Sequence, residues 1–290
     1  MLGPARADRT PAPSMTTITS RQHPLVQTFR AVARGGRGLA LVDGWHLLED
    51  AARAGARVDL VALHGAPPDA ACGALVDQLA ADGVRVVQVS AAVLNALSPV
   101  RTPTGVVALV ERPAPAPEAV LRPDPALVLL AVGMQDPGNV GATLRAAEAG
   151  GATGVLFAGT TADPFGWKAL RAAMGSTFRL PVTVVPDPLD ACAWLRRQGL
   201  RVLATTPRGG VAMHEADLAG PVAIVLGGEG PGLPPALAEA ADGGISIPMA
   251  RPVESLNVAV AAALLVYEAR RQRGAPLPHG PSTAPGTATP

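Results

Sequence analysis

The sequence predicts an α/β protein: a parallel, doubly wound sheet in the C-terminal half and a smaller α/β domain ahead of it. Three observations carry this prediction. Short runs rich in Val, Leu and Ile alternate with helix-length stretches through both halves, which is the pattern of βα units. At about 150 residues per domain, the 290 residues, 48% of them hydrophobic and 16% charged, suffice for two cores. Between the halves, Pro113, Pro115, Pro117, Pro123 and Pro125 mark a stiff linker over residues 112–125.

Residues 1–16 mix Pro, Ala, Arg and Thr without periodicity and read as a disordered tail, with Met15 a second candidate start. Residues 275–290, rich in Pro, Thr and Gly, read the same way. The first domain spans 17–111. Helices are expected at 24–33, 45–54, 70–81 and 91–97, and strands at 39–42, 58–63, 84–89 and 106–110. The second spans 126–274, with buried strands at 127–132, 154–158, 182–185, 201–205, 222–226 and 245–247. A helix over 139–149 has Asn139 near its cap. After Arg251-Pro252 a long final helix is expected to carry Glu254, Ser255 and Asn257 in its first turn, with Ser255 as its cap. Arg270, Arg271 and Arg273 crowd its far end, where cations offset the helix dipole.

Several function classes drop out. Cys72 and Cys192 lie far apart and outside any C-x-x-C, so they read as small buried apolar residues rather than a disulfide or zinc site. His214-Glu215 lacks the spacing of a metal pair. No run is long and apolar enough to span a bilayer, which points to the cytoplasm. The formal charge of +1 excludes no partner, because distribution matters more than the total.

Three loops follow predicted strands, where open parallel sheets bind ligands. In QDPGNVGATLRAAEAGG, Asn139 and Arg145 are either site residues or a helix cap and a solvated cation. In LGGEGPGLP, Leu233 stands where a dinucleotide fingerprint needs its third glycine, and no Gly-Lys pair makes a triphosphate loop. What remains is a turn that exposes backbone around Glu229. In IPMARPVESLN, Ser255 has neither a nucleophile elbow nor a base partner.

Taken in order, N-x-G-x-x-x-R, G-G-E-G-x-G-L and I-P-M…E-S-L-N-V-A-V-A resemble the three motifs of the SpoU (TrmH) family of AdoMet-dependent RNA ribose 2′-O-methyltransferases, in the SPOUT superfamily. The likeness covers residues 126–273. The SRQHPLV, DGWHLLEDA and TPTGVVALV segments of 18–110 are similar to that family's L30e-like substrate-binding domain. The resemblance implies a deep trefoil knot with AdoMet held in it by backbone groups of Gly227, Ile247 and Leu256 and by the loop near Thr205. It implies that Arg145 works at the reacting hydroxyl, with Asn139, Glu229, Ser255 and Asn257 arranging the site and no metal.

A homodimer is expected, with Val258, Ala259, Ala262, Leu265 and Val266 of the final helix as its interface. The substrate implied is RNA, rRNA before tRNA because of the appended domain. The alternative is a catalytically silent RNA-binding protein of the same fold. Between Arg9 and Val42 no acidic residue occurs, while Arg21, Arg30, Arg34 and Arg37 do, a basic face suited to phosphates. Lys168, Arg171 and Arg179 are expected to hold the RNA backbone in the second domain.

Overall fold

A computed structural model describes residues 17–36, 38–228 and 232–274. Both tails, Arg37 and Glu229 therefore lie outside the described residues.

The first sheet contains β1 (Leu39–Asp43), β2 (Val58–Leu63), β3 (Arg85–Gln88) and β4 (Val106–Glu111), in the order β1-β4-β2-β3. It is mixed: β4 runs antiparallel to β1 and β2, and β2 pairs parallel with β3. Helices α1 (Pro24–Ala33) and α4 (Ala91–Leu97) cover one face, where Phe29, Leu97 and Leu109 are buried together. Helices α2 (Trp45–Arg53) and α3 (Ala70–Ala81) cover the other. Cys72, expected inside, is half-buried on α3.

The second sheet is parallel throughout. It contains β5 (Leu127–Val132), β6 (Gly154–Ala158), β7 (Val182–Val185), β8 (Arg201–Thr205), β9 (Val211–Ala212), β10 (Val222–Gly227) and β11 (Gly243–Ser246). Their order is β7-β6-β5-β10-β8-β11-β9. Helices α5 (Pro137–Gly150) and α10 (Val258–Gln272) pack on one face, joined by α6 (Trp167–Ala173) and α7 (Ser176–Arg179). Helices α8 (Pro188–Arg197) and α9 (Pro235–Ala240) pack on the other. There Cys192 is buried, and burial pushes its thiol up to about 11. Close approach of α5 and α6 depends on Gly141, where a Cβ would meet the Ala173 nitrogen at 2.8 Å. No helix among the described residues is long and apolar enough to cross a membrane.

β11 is inserted between β8 and β9, two strands that only five residues connect. Thr206 N donates to Ile245 O on one side (2.9 Å), and Met213 N donates to Ser246 O on the other (2.8 Å). The connection therefore crosses β11. It does so at glycine: a Cβ on Gly210 would lie 2.8 Å from the Gly244 carbonyl carbon.

The halves do not hang on a free linker. Within it, Pro117–Leu121 forms a 3₁₀ turn whose Val120 is fully buried, and Thr153 Oγ1 donates to Val120 O. One buried apolar cluster runs from Ala40, Val42 and Leu48 of the first domain to Leu129, Phe157 and Leu170 of the second. Two arginines staple this junction. Arg112 donates Nε to Leu39 O (2.8 Å) and both terminal nitrogens to Asp163 (3.1 and 2.7 Å). Arg179 donates Nε and Nη2 to Glu148 (2.6 and 2.9 Å) and Nη1 to Asp50 of α2 (3.0 Å). Burial works against the Glu148 charge, yet its bonds from Arg179 and Ser176 hold that carboxyl below its ordinary value. Arg179, expected on RNA, thus also ties the two domains together.

A third arginine closes the second unit on itself. Arg273, at the end of α10, donates to the carbonyls of Pro125, Ala126, Leu218 and Gly220 at 2.6–3.0 Å. Desolvation lowers its pKa from the ordinary arginine value. It spans to the start of β5, beyond the dipole role expected of it.

Candidate active site

A cavity of about 620 Å³ opens at the carboxyl ends of β8, β10 and β11. Parallel packing brings three loops there, and most of what they present is backbone or apolar surface. Gly227, Gly228 and Gly232 form one wall, Ile245, Ile247 and Met249 another, and Thr205, Thr206 and Pro207 a third. Ser255, Leu256 and Asn257 close the front. All four residues expected around a cofactor, Gly227, Ile247, Leu256 and Thr205, line this one cavity. Thr205 spends its hydroxyl on Val225 O (2.9 Å), so it contributes shape and main chain rather than a free side-chain donor. Ile247 lies just beyond β11, and not in it as the sequence suggested.

The glycines leave room that side chains would take. A Cβ on Gly227 would stand 2.8 Å from both the Gly232 carbonyl carbon and the Leu233 nitrogen. The volume falls within the roughly 300–1,000 Å³ of small-molecule sites, and the lining suits a ligand read mainly by main-chain groups. Across the mouth, Arg208 of the β8–β9 connection pairs with Glu254 at 3.1 Å. Both side chains are well exposed, so this pair contributes little.

The helix caps differ from expectation. Asp136 caps α5, accepting from Asn139 N at 2.8 Å, and the helix begins at Pro137. Asn257, not Ser255, caps α10. Its φ of −53° and ψ of 138° lie outside the helix, and its Oδ1 accepts from Ala259 N (2.9 Å) and Val260 N (3.4 Å). Ser255 belongs to the non-helical stretch ahead of the cap and faces the cavity. Asn257 turns its other amide atom outward, where Nδ2 donates to Asn139 Oδ1 at 2.9 Å. The first and third sequence loops thus meet through one amide pair at the cavity rim.

Arg145 is not among the cavity-lining residues. It sits exposed on α5, and no ion pair holds it among the described residues. The expected dimer stripe is corrected more sharply: Ala259, Ala262, Leu265 and Val266 are buried within the chain, Val266 against Gly150 of α5. The apolar side chains that α10 exposes are Val260, Leu264 and Tyr267 (48%, 38% and 48% accessible), spaced to share a face. Arg21, Arg30, Arg34, Lys168 and Arg171 are exposed as an RNA-facing role requires. Among the described residues, no group of three or more His, Cys, Asp or Glu could hold a metal ion.

Sequence reasoning passed over Thr206, Leu226, Met249 and Ala261, which also line the cavity. Their shared signal was position, each lying within a few residues of a strand end or helix start that was already identified.

The family model for the SpoU rRNA methylase family matches residues 126–267, and that for the MRM3-like substrate binding domain matches 30–108. A tRNA/rRNA methyltransferase of Synechocystis, itself uncharacterized, is 35% identical over 272 residues, covering 90% of this chain and 96% of the relative. The chain belongs to the SpoU rRNA methylase family. Another relative is a 23S rRNA (guanosine-2′-O-)-methyltransferase, RlmB, of Coxiella burnetii, 36% identical across 70% of this chain and 84% of its own length. An AdoMet-bound rRNA methyltransferase from Sinorhizobium meliloti superposes with a TM-score of 0.80 at 29% identity, covering 88% of this chain and 97% of that one. Membership of this family, with AdoMet-bound structural neighbours, makes AdoMet the cofactor, and the glycine-walled cavity fits it.

Proposed function

We infer that this enzyme transfers a methyl group to a ribose 2′-hydroxyl of ribosomal RNA. The observation that carries the reading is the cavity built from glycine and backbone at the ends of three parallel strands, in a chain of this family. When bound there, AdoMet supplies an electrophilic methyl group on a sulfonium. Gly227, Ile247, Leu256 and the loop at Thr205 would hold it. Ser255 and Asn257 stand at the opening, and Asn257 fixes the orientation of Asn139 through the amide pair. They position the hydroxyl, and positioning alone removes much of the barrier to a bimolecular transfer.

A guanidinium is a poor proton acceptor, so Arg145 binds the neighbouring phosphate and stabilises the developing alkoxide rather than serving as base. Because its own cavity is lined without it, a second copy of the chain delivers it. The exposed Val260, Leu264 and Tyr267 face supports such a homodimer. The insertion of β11 between β8 and β9, with the glycine crossing, supports a trefoil knot in the second domain. The first domain contributes Arg21 and Arg30 to phosphate contacts.

The test is to incubate the enzyme with methyl-labelled AdoMet and ribosomal RNA from cells lacking it, then digest the RNA to nucleosides. Label is expected in a 2′-O-methylnucleoside; a base-methylated product, or none, overturns the reading. An enzyme active as a monomer by light scattering removes the dimer.

A further inference from the structure

A second cleft, of about 270 Å³, lies at the domain junction and belongs to no part of the cofactor site. Arg34 and Gly35, just past α1, form one side; Trp167 and Lys168, opening α6, form the other; Asp163 and Pro137 complete it. We propose that this cleft binds one unpaired nucleotide of the RNA substrate beside the methylated residue, stacking its base on Trp167 and holding phosphate with Arg34 and Lys168. The proposal rests on the RNA reading above and adds where, and in what state, the RNA is held.

The lining, position and size of the cleft support it. The Trp167 indole is half-buried, with Lys168 Nζ 5.5 Å from its ring centroid, so a flat apolar surface adjoins a cation. Arg34 and Lys168 are exposed and have no ion pair among the described residues. The one carboxylate that lines the cleft among the described residues, Asp163, is already neutralised by the two-pronged bond from Arg112. Charge in the cleft is therefore net positive, and it is open to an anion.

Position points the same way. Pro137 is the first residue of α5, and Asn139, two residues on, is bonded to Asn257 on the cavity rim. A nucleotide in the cleft would be a close neighbour of a ribose at the cavity. At about 270 Å³ the cleft offers room for one base, and sequence-directed RNA recognition commonly takes single bases out of their stack. Finally, the Arg112 and Arg179 staples hold the two walls in register before RNA arrives.

The test reads affinity without turnover. A fluorescein-labelled single-stranded oligoribonucleotide and a duplex of equal length are titrated by anisotropy with the full chain. Trp167→Ala is expected to weaken single-strand binding about ten-fold, the scale of one lost stacking contact, with Trp167→Phe largely restoring it and duplex binding little changed. The double variant R34A/K168A is expected to weaken binding and to flatten the salt dependence by about 1.4 in log–log slope, at roughly 0.7 per phosphate on a single strand. Calorimetry with AdoMet reports whether each variant is folded. Wild-type affinity and salt slope in R34A/K168A, or wild-type affinity in folded Trp167→Ala, overturns the cleft. If the wild type methylates ribosomal RNA while these variants bind normally, the cleft alone fails; if the variants lose binding while the wild type transfers no methyl, the cleft stands and the enzymatic reading fails.

Discussion

The two sides of the reaction centre are built from different materials. The cofactor cavity is made largely of glycines, strand ends and apolar side chains, and the Thr205 hydroxyl at its edge is spent inside the protein. The side proposed to face RNA is made of long side chains: Arg145 exposed on α5, and Arg34, Trp167 and Lys168 at the domain junction. A site read by main chain tolerates the trimming of side chains and suffers from added bulk. A site read by side chains does the opposite.

The largest effect expected from this division is that of Arg145→Ala. It should lower kcat by about 10²–10³-fold, as removal of a group that stabilises developing negative charge does, while AdoMet affinity by calorimetry stays put. A fall in AdoMet affinity would mean that Arg145 serves both sides and would break the comparison. Gly227→Val tests the other side. Its Cβ would sit 2.8 Å from two backbone atoms, an overpacking worth about 1–3 kcal/mol. AdoMet binding should weaken by roughly 10–100-fold with single-stranded RNA affinity kept.

Asn257→Ala sits on the border between the two. It removes the α10 cap and the amide bond to Asn139, so a loss of about 1 kcal/mol of stability by thermal or urea unfolding is expected, together with reduced turnover. Wild-type turnover would show the amide pair to be structural only. The smallest effect belongs to the junction. Arg179→Met should cost at most about 1 kcal/mol, because that side chain is 37% exposed and solvent screens it. The Glu148 carboxyl is held below its ordinary 4.5. Its contribution is therefore fully present above that pH and lost as pH falls through the depressed value. The variant and wild type should converge in stability as the solution is acidified; a gap that persists in acid would assign the effect to packing.

Much of the second domain was legible because buried parallel strands are continuous Val, Leu and Ile runs, as Leu127–Val132 and Val222–Gly227 are. β9 escaped because two residues carry no period. The α10 cap was misplaced because Ser255 and Asn257 are both capping types two positions apart, and only backbone geometry selects the one whose oxygen reaches Ala259 and Val260. The α10 dimer stripe was misread for a related reason: the helix is apolar nearly all round, and which side meets its own sheet depends on α5 rather than on α10. The junction role of Arg179 was not legible because its partners Asp50 and Glu148 lie 129 and 31 residues away. The cavity residues came from the motif resemblance, carried by loops that follow parallel strands, while the Trp167 cleft needs two domains to exist and leaves no local pattern.

Arg273 carries a consequence of another kind. By gripping the carbonyls of Pro125 and Ala126, it sets the last turn of the catalytic unit beside its first strand. A unit whose entry and exit meet is portable: a different recognition module can be fused at that seam without altering the path of any strand. The same seam is where a circular permutant, joining residue 273 to residue 125 through a short linker, should keep its AdoMet site. A module added at that corner would join the unit without disturbing the apolar cluster the two domains already share.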